Sequence, residues 1–535
     1  MINKILKLFI LFMCSIILML FNIKKIATNE NFYETALKQS SYKLRISNSR
    51  GLIYDCNNIP LVDNETKKIA VINPNNPTEL SGILNFIDYD KEKISKKLKD
   101  GFPFLVKLNK NYKNINKNNN NIFDIPVRTN KNISSIHLVG YVDSENNGIS
   151  GIEKIYNNYL NNESEIEIIY YTNAFGNIIS GGKSCIIDKS YSVNKGVKLY
   201  IDKNLQEITE NISEKYINRG SVIITKVPDC EIKSCISLPN FSPENMAYHL
   251  NDPESPFLNR ALNSYDVGSV FKLVTSIAGL ESGLDENEIY DCTGICILNC
   301  GSKIDCYNRK SHGKIDLNHA IACSCNGYFA ELSKKIDPNF FLEIARNLGF
   351  SQSIQIAPNL NSDAGILPDI NELHDEKKAA IFSFGQGKLL ATPLHIAALT
   401  NTIASNGMYS EPKLVMGIIN ENMEFEAENL YKTPKKCFKK FTSDLLKKFM
   451  KSSITIGTSA TGRPKTCTAA AKTSTAETGI FKNNKRVTQS WFTGFFPFDN
   501  PKYCITIIAE DCENGHTTCA PIFKELADEI TKRNL

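Results

Sequence analysis

The sequence has little excess charge of either sign. Its 62 Lys and Arg residues nearly balance its 57 Asp and Glu residues, so the formal net charge is only +5 over 535 residues. It also lacks an arginine-rich or aromatic-interleaved basic stretch of the kind that tracks a nucleic-acid backbone. We therefore exclude nucleic acid as a partner. A hydrophobic content of 42% and a charged content of 22% indicate globular domains.

A second apolar run of membrane-spanning length is also missing. The one such run extends from Ile5 to Ile23, and its length suits a single transmembrane helix. The residues that follow, Lys24 to Asn29, lack the small-x-small pattern of a signal-peptide cleavage site. We expect residues 1–26 to form a cytoplasmic stub and an uncleaved anchor, with a cleaved signal peptide as the competing interpretation. The expected location is the cell membrane, single-pass, with the large domain extracytoplasmic.

The sequence contains 16 cysteines, and none of them forms a Cys-x-x-Cys pair. Exported proteins tend to pair their cysteines, yet these are scattered rather than arranged as in a small disulfide scaffold. Three interpretations stay open: buried free thiols, disulfides such as Cys292 with Cys306, and a structural zinc site. Asp511, His516 and Cys519 are candidate zinc ligands, to be completed by one of the cysteines between 292 and 306, which are Cys292, Cys296, Cys300 and Cys306. We expect the chemistry itself to require no cofactor.

After its anchor the chain divides into two parts. Residues 27–185 alternate short strand-like runs with Asn- and Lys-rich loops and carry no recognisable set of acid, base and nucleophile. We interpret them as a pedestal or interaction module. Residues 186–535 have β-rich runs near both ends, such as Ser221 to Thr225 and Tyr503 to Glu510, with helical patterns between them. That order predicts an α+β domain whose sheet unites early and late segments.

The stretch around Gly268 carries the first chemical motif. Glycine permits a tight turn there, and the apolar residues after it recur at helical spacing. A helix beginning near Ser269 places Lys272 one turn later, beside the serine hydroxyl, and turns unpaired backbone N–H groups toward developing negative charge. A lysine whose charged form is disfavoured can take the proton of that serine. Alone the pattern is weak, because Ser40 and Lys43 share it.

Two later stretches carry polar groups of the same kind. Ser324-Cys325-Asn326 places a hydroxyl beside an amide, a pair that can relay a proton and orient a substrate amide. Lys472-Thr473-Ser474-Thr475 places a cation and hydroxyls on an expected strand edge, where they can bind a carboxylate. Each has a decoy of equal spacing, Ser144-Glu145-Asn146 and Lys465-Thr466-Cys467 respectively, so neither motif is specific alone.

Together, and in this order, the three motifs resemble those of the penicillin-recognising serine acyltransferases. The surrounding sequence narrows the resemblance to the monofunctional, class B penicillin-binding proteins, and it covers nearly the whole chain beyond the anchor. The further stretches that fit this family are Arg50-Gly51-Leu52-Ile53-Tyr54-Asp55, Gly148-Ile149-Ser150-Gly151-Ile152-Glu153 with Tyr156 and Leu160, Leu258-Asn259-Arg260-Ala261, Gly327-Tyr328-Phe329, Gly385-Gln386-Gly387 with Thr392-Pro393-Leu394, and Trp491-Phe492-Thr493-Gly494.

The resemblance implies a fold and a role for each motif. The fold would be a penicillin-binding/β-lactamase-like transpeptidase domain, an antiparallel sheet with helices on both faces, joined to an elongated, dimerisation-type pedestal and one transmembrane helix. Ser269 would be the acylated nucleophile and Lys272 its general base. Ser324 and Asn326 would pass protons and hold the donor amide.

The third motif would bind substrate. The resemblance implies that Lys472 and Thr473 bind the substrate or β-lactam carboxylate, with Ser474 and Thr475 beside them. The oxyanion hole would consist of the backbone N–H groups of Ser269 and Thr475, placed where negative charge develops.

The implied activity is peptidoglycan cross-linking by a serine-type D-Ala-D-Ala transpeptidase. Such an enzyme attacks a D-Ala-D-Ala stem peptide, releases D-Ala and transfers the acyl group to an amine of a neighbouring stem. The implied partners are stem peptides, β-lactams that mimic the donor, the cytoplasmic membrane and a glycosyltransferase of the cell-wall machinery. The alternatives are a β-lactam sensor or scaffold without cross-linking activity, and a β-lactamase.

Three positions depart from the family pattern. Ser474 stands where the family usually has glycine, so its hydroxymethyl group either narrows the cleft or points away from it. Val267 replaces a frequent proline before Gly268, and Cys56-Asn57-Asn58 replaces the usual Arg-x-Gly. We expect the first two departures to affect reactivity and the third to affect only the pedestal.

Overall fold

The computed structural model describes residues 2–28, 40–74, 91–109, 122–131, 133–173, 175, 177–179, 185–188, 195–482, 485–512 and 515–535. By its internal contacts the chain forms two compact units, each discontinuous in sequence. The smaller unit takes the described parts of Met1–Arg50, Asn64–Arg128 and Asn161–Val193. The larger unit takes those of Gly51–Asp63, Thr129–Leu160 and Asn194–Leu535.

The elements of the first 200 residues run from α1 to β8. They are α1 (Ile2–Ala27), β1 (Ser41–Arg50), β2 (Leu52–Tyr54), β3 (Asn64–Ile72), α2 (Lys91–Lys99), β4 (Phe104–Lys107), β5 (Ile122–Arg128), α3 (Ile136–Val139), α4 (Gly151–Ile155), α5 (Asn157–Leu160), β6 (Asn161–Tyr171), β7 (Cys185–Asp188) and β8 (Gly196–Leu199).

The remaining elements all belong to the larger unit. They are α6 (Lys203–Ser213), β9 (Gly220–Lys226), β10 (Glu231–Leu238), α7 (Met246–His249), β11 (Tyr265–Asp266), α8 (Lys272–Glu281), β12 (Tyr290–Cys292), β13 (Ile295–Ile297), β14 (Lys303–Asp305), β15 (Gly313–Ile315), α9 (Leu317–Ala322), α10 (Asn326–Ser333), α11 (Pro338–Asn347), β16 (Gln355–Ala357), β17 (Leu360–Asn361), α12 (Ile370–Leu373), α13 (Glu376–Ser383), β18 (Leu390–Ala391), α14 (Pro393–Ala404), β19 (Met408–Tyr409), β20 (Val415–Ile419), β21 (Phe425–Glu428), β22 (Lys435–Lys436), α15 (Lys440–Ile456), β23 (Ala470–Lys482), β24 (Lys485–Phe496), β25 (Tyr503–Ala509) and α16 (Gly515–Lys532).

The first helix, α1, is long and apolar enough to cross a membrane. Its most apolar 18-residue window has a mean hydropathy of 2.4, and none of that window is buried against the rest of the protein. An unburied helix of this composition is unfavourable in water. By length and composition α1 therefore fits the expected anchor.

The smaller unit is built from two three-stranded antiparallel sheets. One has the order β1-β6-β7 and the other the order β4-β3-β5. Ile46 and Ile168 of the first sheet pack with Val71 and Ile125 of the second in one buried cluster. The unit therefore has its own core, as an independent module requires.

The division of the chain differs from the expected boundary at residue 185. Residues 51–63 and 129–160 belong to the larger unit, because β2 pairs in parallel with β8 and Ile53 and Ile152 are buried in the same cluster as Val197. The Cys56 amide donates to Ile201 O at 2.8 Å. This departure from the family pattern therefore lies in the larger unit and not, as we expected, in the pedestal.

A five-stranded antiparallel sheet organises the larger unit, with the order β10-β9-β25-β24-β23. Early and late segments meet in it, as the α+β prediction required. Along β24, Phe492 packs on one face with Phe523 of α16, whereas Trp491 packs on the other face with the core around Phe271 and Val274. Side chains alternate between faces along a strand, so helices cover both faces, and β23 is left at an edge.

Candidate active site

Gly268 makes the turn that presents Ser269. Its φ of +62° lies in the left-handed region, and a Cβ there would come within 2.5 Å of Ser474 Oγ, so the position requires glycine. A 3-10 turn then leads into α8, which begins at Lys272. The α-helix therefore begins three residues later than expected, and Ser269 lies in the tighter turn, partly exposed.

Lys272 is fully buried, and its amine faces the second motif. Its Nζ donates to Ser324 O at 2.7 Å, to Ser324 Oγ at 3.1 Å and to Asn326 Oδ1 at 2.7 Å. None of the hydrogen bonds found for the described residues joins Lys272 to Ser269. Burial penalises the charged amine and lowers the pKa of Lys272 to about 8. The neutral form of this lysine is therefore accessible near physiological pH, where an ordinary lysine is almost wholly charged.

Lys472 approaches the same hydroxyl from the edge strand β23. Its side chain is fully buried, and Nζ donates to Ser324 Oγ at 3.1 Å and to Thr473 O at 2.8 Å. Burial, and next the charge of Lys272, hold the pKa of Lys472 well below its usual range. Two amines converge on one serine oxygen, an arrangement that disfavours two positive charges and favours proton exchange.

The Ser324-Cys325-Asn326 motif occupies the tight connection between α9 and α10. Ser324 has a φ of +57°, which a non-glycine residue adopts only when its surroundings hold it there. The Cys325 sulfur caps α10 by accepting from the Tyr328 amide at 3.4 Å, and Asn326 Nδ2 donates to Asp305 O at 2.9 Å. The motif therefore ties the site to the end of β14.

The third motif lies in register on β23. Thr473 Oγ1 donates to Thr458 Oγ1 at 3.0 Å, and Ser474 Oγ donates to Val267 O at 2.8 Å. Thr475 is exposed. The structure thus brings all three motifs, separated by up to about two hundred residues, to one place between β23, α8 and the α9–α10 connection.

The family stretch before the nucleophile is held by a buried ion pair. Arg260 is fully buried; its Nε donates to Glu510 Oε1 at 2.8 Å and its Nη2 to Glu254 O at 2.7 Å. Tyr265 donates to the same Glu510 oxygen at 2.9 Å. These contacts join the segment leading to Ser269 to the end of β25.

Four side chains of metal-ligand type converge behind the second motif. The Sγ atoms of Cys292, Cys306 and Cys325 lie 3.5–3.8 Å apart, and His312 Nδ1 lies 3.3 Å from Cys292 Sγ. All four ligand atoms fall within 4.8 Å of one another. The hydrogen bond between Cys325 and Cys306 lowers the pKa of the Cys306 thiol and raises that of Cys325, so it favours a single thiolate, on Cys306.

The candidate zinc ligands near the C-terminus are engaged elsewhere. Asp511 pairs with Arg219 at 3.2 Å, and Cys519 is buried with its Sγ donating to Ser490 O at 3.4 Å. The side chain of His516 lies outside the described residues. Sequence reasoning did include Cys292 and Cys306 but missed His312 and Cys325. The signals were a histidine six residues after Cys306 and a cysteine inside the second motif.

The chain matches the family model described as the penicillin binding protein transpeptidase domain over residues 220–528. That span is more than half of the chain and includes all three motifs. The chain belongs to the penicillin-binding protein transpeptidase family. The resemblance inferred from the motifs is thereby confirmed.

Curated relatives of this penicillin-binding protein carry transpeptidase names. It is 25% identical to the peptidoglycan D,D-transpeptidase MrdA of Haemophilus influenzae, with 95% of this chain and 88% of that protein covered. It is 24% identical to the MrdA of Acinetobacter baumannii, with 90% and 80% covered. The similarity extends beyond the catalytic unit over nearly the whole length.

Solved structures confirm the fold of this penicillin-binding protein. Helicobacter pylori PBP2 has a TM-score of 0.71 at 22% identity, with 92% of this chain and 99% of that chain covered. A Mycobacterium tuberculosis PBP3 complex with aztreonam has a TM-score of 0.66 at 17% identity, with 92% and 97% covered. A complex of Helicobacter pylori PBP2 with MreC has a TM-score of 0.68 at 22% identity, with 92% and 99% covered.

Proposed function

We propose that this penicillin-binding protein is a serine D,D-transpeptidase that cross-links peptidoglycan stem peptides and is inhibited by β-lactams. The observation that carries the proposal is the convergence of two buried lysine amines on Ser324 Oγ, beside the turn that presents Ser269. Family membership and the names of the curated relatives support it.

The first half-reaction acylates the enzyme. Ser269 Oγ attacks the carbonyl carbon of the penultimate D-Ala while the neutral amine of Lys272 takes the hydroxyl proton. The backbone N–H groups of Ser269 and Thr475 stabilise the oxyanion. The amide C–N bond then breaks, its nitrogen receives a proton through Ser324 Oγ, and free D-Ala leaves.

The second half-reaction transfers the acyl group. An amine of a neighbouring stem attacks the ester carbon, loses its proton to the lysine–serine set, and Ser269 Oγ leaves and regains a proton. One amide bond has broken and one has formed, so the exchange needs no external energy source. Lys472 and Thr473 hold the donor carboxylate, and Asn326 holds the donor amide.

Intact-mass spectrometry after incubation with a penicillin tests the nucleophile. The expected result is one adduct on the wild type and none on Ser269→Ala. Ser282→Ala is the matched control, because Ser282 directly follows α8 and its Oγ donates to Ala278 O of the same helix, at 2.7 Å. This variant should acylate normally. An unlabelled wild type, or an adduct that persists on Ser269→Ala, contradicts the proposal.

A second assay separates the transpeptidase from the alternatives. With a D-Ala-D-Ala pentapeptide and an acceptor stem, a transpeptidase releases D-Ala and forms a cross-linked dimer. A sensor or scaffold forms the penicillin adduct without releasing D-Ala. A β-lactamase hydrolyses the drug and leaves no lasting adduct.

We propose further that α1 anchors the protein in the cell membrane with the larger unit outside, and that a glycosyltransferase is a partner. The length and composition of α1 support the anchor. The solved complex of a structural neighbour with MreC supports assembly with other proteins.

Protease treatment of intact cells tests the orientation. A C-terminal tag is expected to be accessible to the protease, and a protected tag contradicts the orientation. Co-purification after in-cell cross-linking tests the partner, and its absence contradicts that part.

We also propose that any structural zinc is bound by Cys292, Cys306, His312 and Cys325 rather than by the C-terminal residues. Tetrahedral zinc with Zn–S bonds of about 2.3 Å separates its sulfur ligands by about 3.8 Å. The three sulfurs lie 3.5–3.8 Å apart, close to this spacing. Because Cys325 separates Ser324 from Asn326, a bound ion would hold the second motif in place.

Metal analysis of the full-length protein tests the zinc site. The expected result is one zinc per chain, lost in Cys306→Ser and retained in Cys300→Ser. Cys300 is the matched control because it is an exposed thiol of the same region. Zinc retained in Cys306→Ser, or zinc absent from the wild type, contradicts the site. Two thiols that take up alkylating reagent only after a reductant is added would indicate a disulfide instead.

A further inference from the structure

Ser474 directs its hydroxyl group at the nucleophile turn. Its side chain is only 2% exposed, and its Oγ donates to Val267 O at 2.8 Å. The same Oγ lies only 2.5 Å from the position that a Cβ on Gly268 would take. The hydroxymethyl group is therefore packed on the turn and does not project freely into the cleft.

The strand neighbour of Ser474 contacts the same turn. Trp491 lies directly opposite Ser474 in the β23–β24 register, and its Nε1 donates to Asp266 O at 2.8 Å. Two successive carbonyls of the turn are thus bound by the two members of one cross-strand pair. On the other side the amide of Gly268 donates to Gly385 O at 2.8 Å.

The Ser474–Val267 hydrogen bond joins the two segments that supply the oxyanion hole. Val267 precedes Ser269 by two residues, and Ser474 immediately precedes Thr475. A hydrogen bond between these segments limits how far β23 can move from the turn. Oxyanion donors act through preorganised spacing, since a displacement of about 1 Å can cost two orders of magnitude in rate.

We propose that Ser474 is a positioning residue that fixes the spacing between the backbone N–H groups of Ser269 and Thr475. The inference rests on the proposed function of this site. Where the family usually has glycine, this chain has Ser474, whose hydroxyl bonds the edge strand β23 to the turn that presents Ser269.

Acylation kinetics with a chromogenic penicillin on the full-length protein test this role. Ser474→Ala is expected to lower the acylation rate constant about tenfold, with less than a twofold change in the dissociation constant of the non-covalent complex. Ser474→Gly is expected to behave like Ser474→Ala. Ser474→Thr keeps a hydroxyl donor and is expected to recover most of the rate.

Ser221→Ala is the matched control. Ser221 is a fully buried serine of the same sheet, and its Oγ donates to the backbone oxygen Ile236 O at 2.7 Å. The variant loses a comparable hydrogen bond on β9, which β25 and β24 separate from β23 in the sheet. It should therefore acylate at the wild-type rate. An equal loss of rate in Ser221→Ala overturns the positioning role.

The outcomes separate this inference from the proposed function. If the wild type is acylated and both Ser474→Ala and Ser474→Gly match its rate, the positioning role is wrong while the transpeptidase assignment stands. If the wild type forms no adduct at Ser269, both are overturned.

Discussion

The reactivity of single residues in this site depends on burial. Lys272 and Lys472 are completely enclosed, and removing their amines from water disfavours the charged form. A neutral amine is what a general base needs before it can accept a proton. The contacts of Lys272 Nζ with Ser324 O and Asn326 Oδ1, both at 2.7 Å, use the two N–H groups of the neutral amine and leave its lone pair to accept a proton.

The proposed role of Lys272 as the base predicts how acylation depends on pH. Burial lowers that pKa to about 8, so the neutral, basic fraction increases as the pH rises through 8. We expect the second-order rate of acylation by penicillin to increase tenfold per pH unit below this value and to level off above it. Stopped-flow measurements between about pH 6 and about pH 10 check this.

Lys272→Arg provides the test variant for this prediction. The guanidinium group stays protonated at every accessible pH, so the variant should acylate at a negligible rate throughout. A wild-type rate that does not vary with pH, or an arginine variant that acylates normally, would contradict the assignment of Lys272 as the base.

Helix caps position the elements behind the site. Helix α14, whose residues are all buried, starts immediately after Thr392 with a reciprocal capping box. The amide of His395 donates to Thr392 Oγ1 at 3.3 Å, and His395 Nδ1 accepts from the Thr392 amide at 3.0 Å. This helix packs against the sheet through Thr400, whose hydroxyl bonds Thr493 Oγ1 of β24 at 2.6 Å. The Thr392-Pro393-Leu394 stretch therefore fixes where helix α14 begins.

Loss of this cap should lower stability by a defined amount. Thr392→Ala removes the oxygen that satisfies the first turn of α14, and we expect the free energy of unfolding to fall by about 1 kcal/mol. Thr392→Ser keeps the oxygen and should retain most of the stability. Urea unfolding of the three proteins measures the difference, and an alanine variant as stable as the wild type would contradict the capping role.

Two buried histidines should control how the stability of the whole molecule decreases as the pH falls below neutral. His137 Nε2 lies 2.7 Å from Pro256 O, and His395 Nε2 lies 2.8 Å from Gln352 O. Burial lowers the pKa of each histidine to about 4. Below the ordinary histidine pKa of about 6.5 the unfolded chain binds protons that the folded chain does not.

The sign of this linkage gives a prediction. Because the unfolded state binds more protons between about pH 6.5 and about pH 4, stability is retained above that window and decreases as the pH falls through it, by up to roughly 1.4 kcal/mol per pH unit for each histidine. His137→Gln and His395→Gln should each reduce this slope relative to the wild type. Thermal unfolding across the window measures the slope, and identical slopes would contradict the prediction.

The amino-acid sequence determined the identity of this protein. The three motifs, the stretch around Arg260 and the N-terminal apolar run are local patterns, and their order along the chain sufficed for the family and the α+β class. The sequence also predicted strands at both ends of the larger unit, because a β-rich run can be recognised without knowing which strand it pairs with. It did not predict which unit residues 51–63 and 129–160 join, since strand pairing and core packing decide that.

The tertiary structure decided what the motifs do together. Only folding brings Lys272 and Lys472, two hundred residues apart, onto Ser324 Oγ. Burial lowers both pKa values, and the charge of Lys272 lowers that of Lys472 further. Whether Ser474 narrows the cleft depended on the path of β23 beside the Gly268 turn. The convergence of His312 and Cys325 with the two earlier cysteines likewise depended on packing around α10. Such features arise from contacts between residues far apart in sequence, which spacing along the chain does not encode.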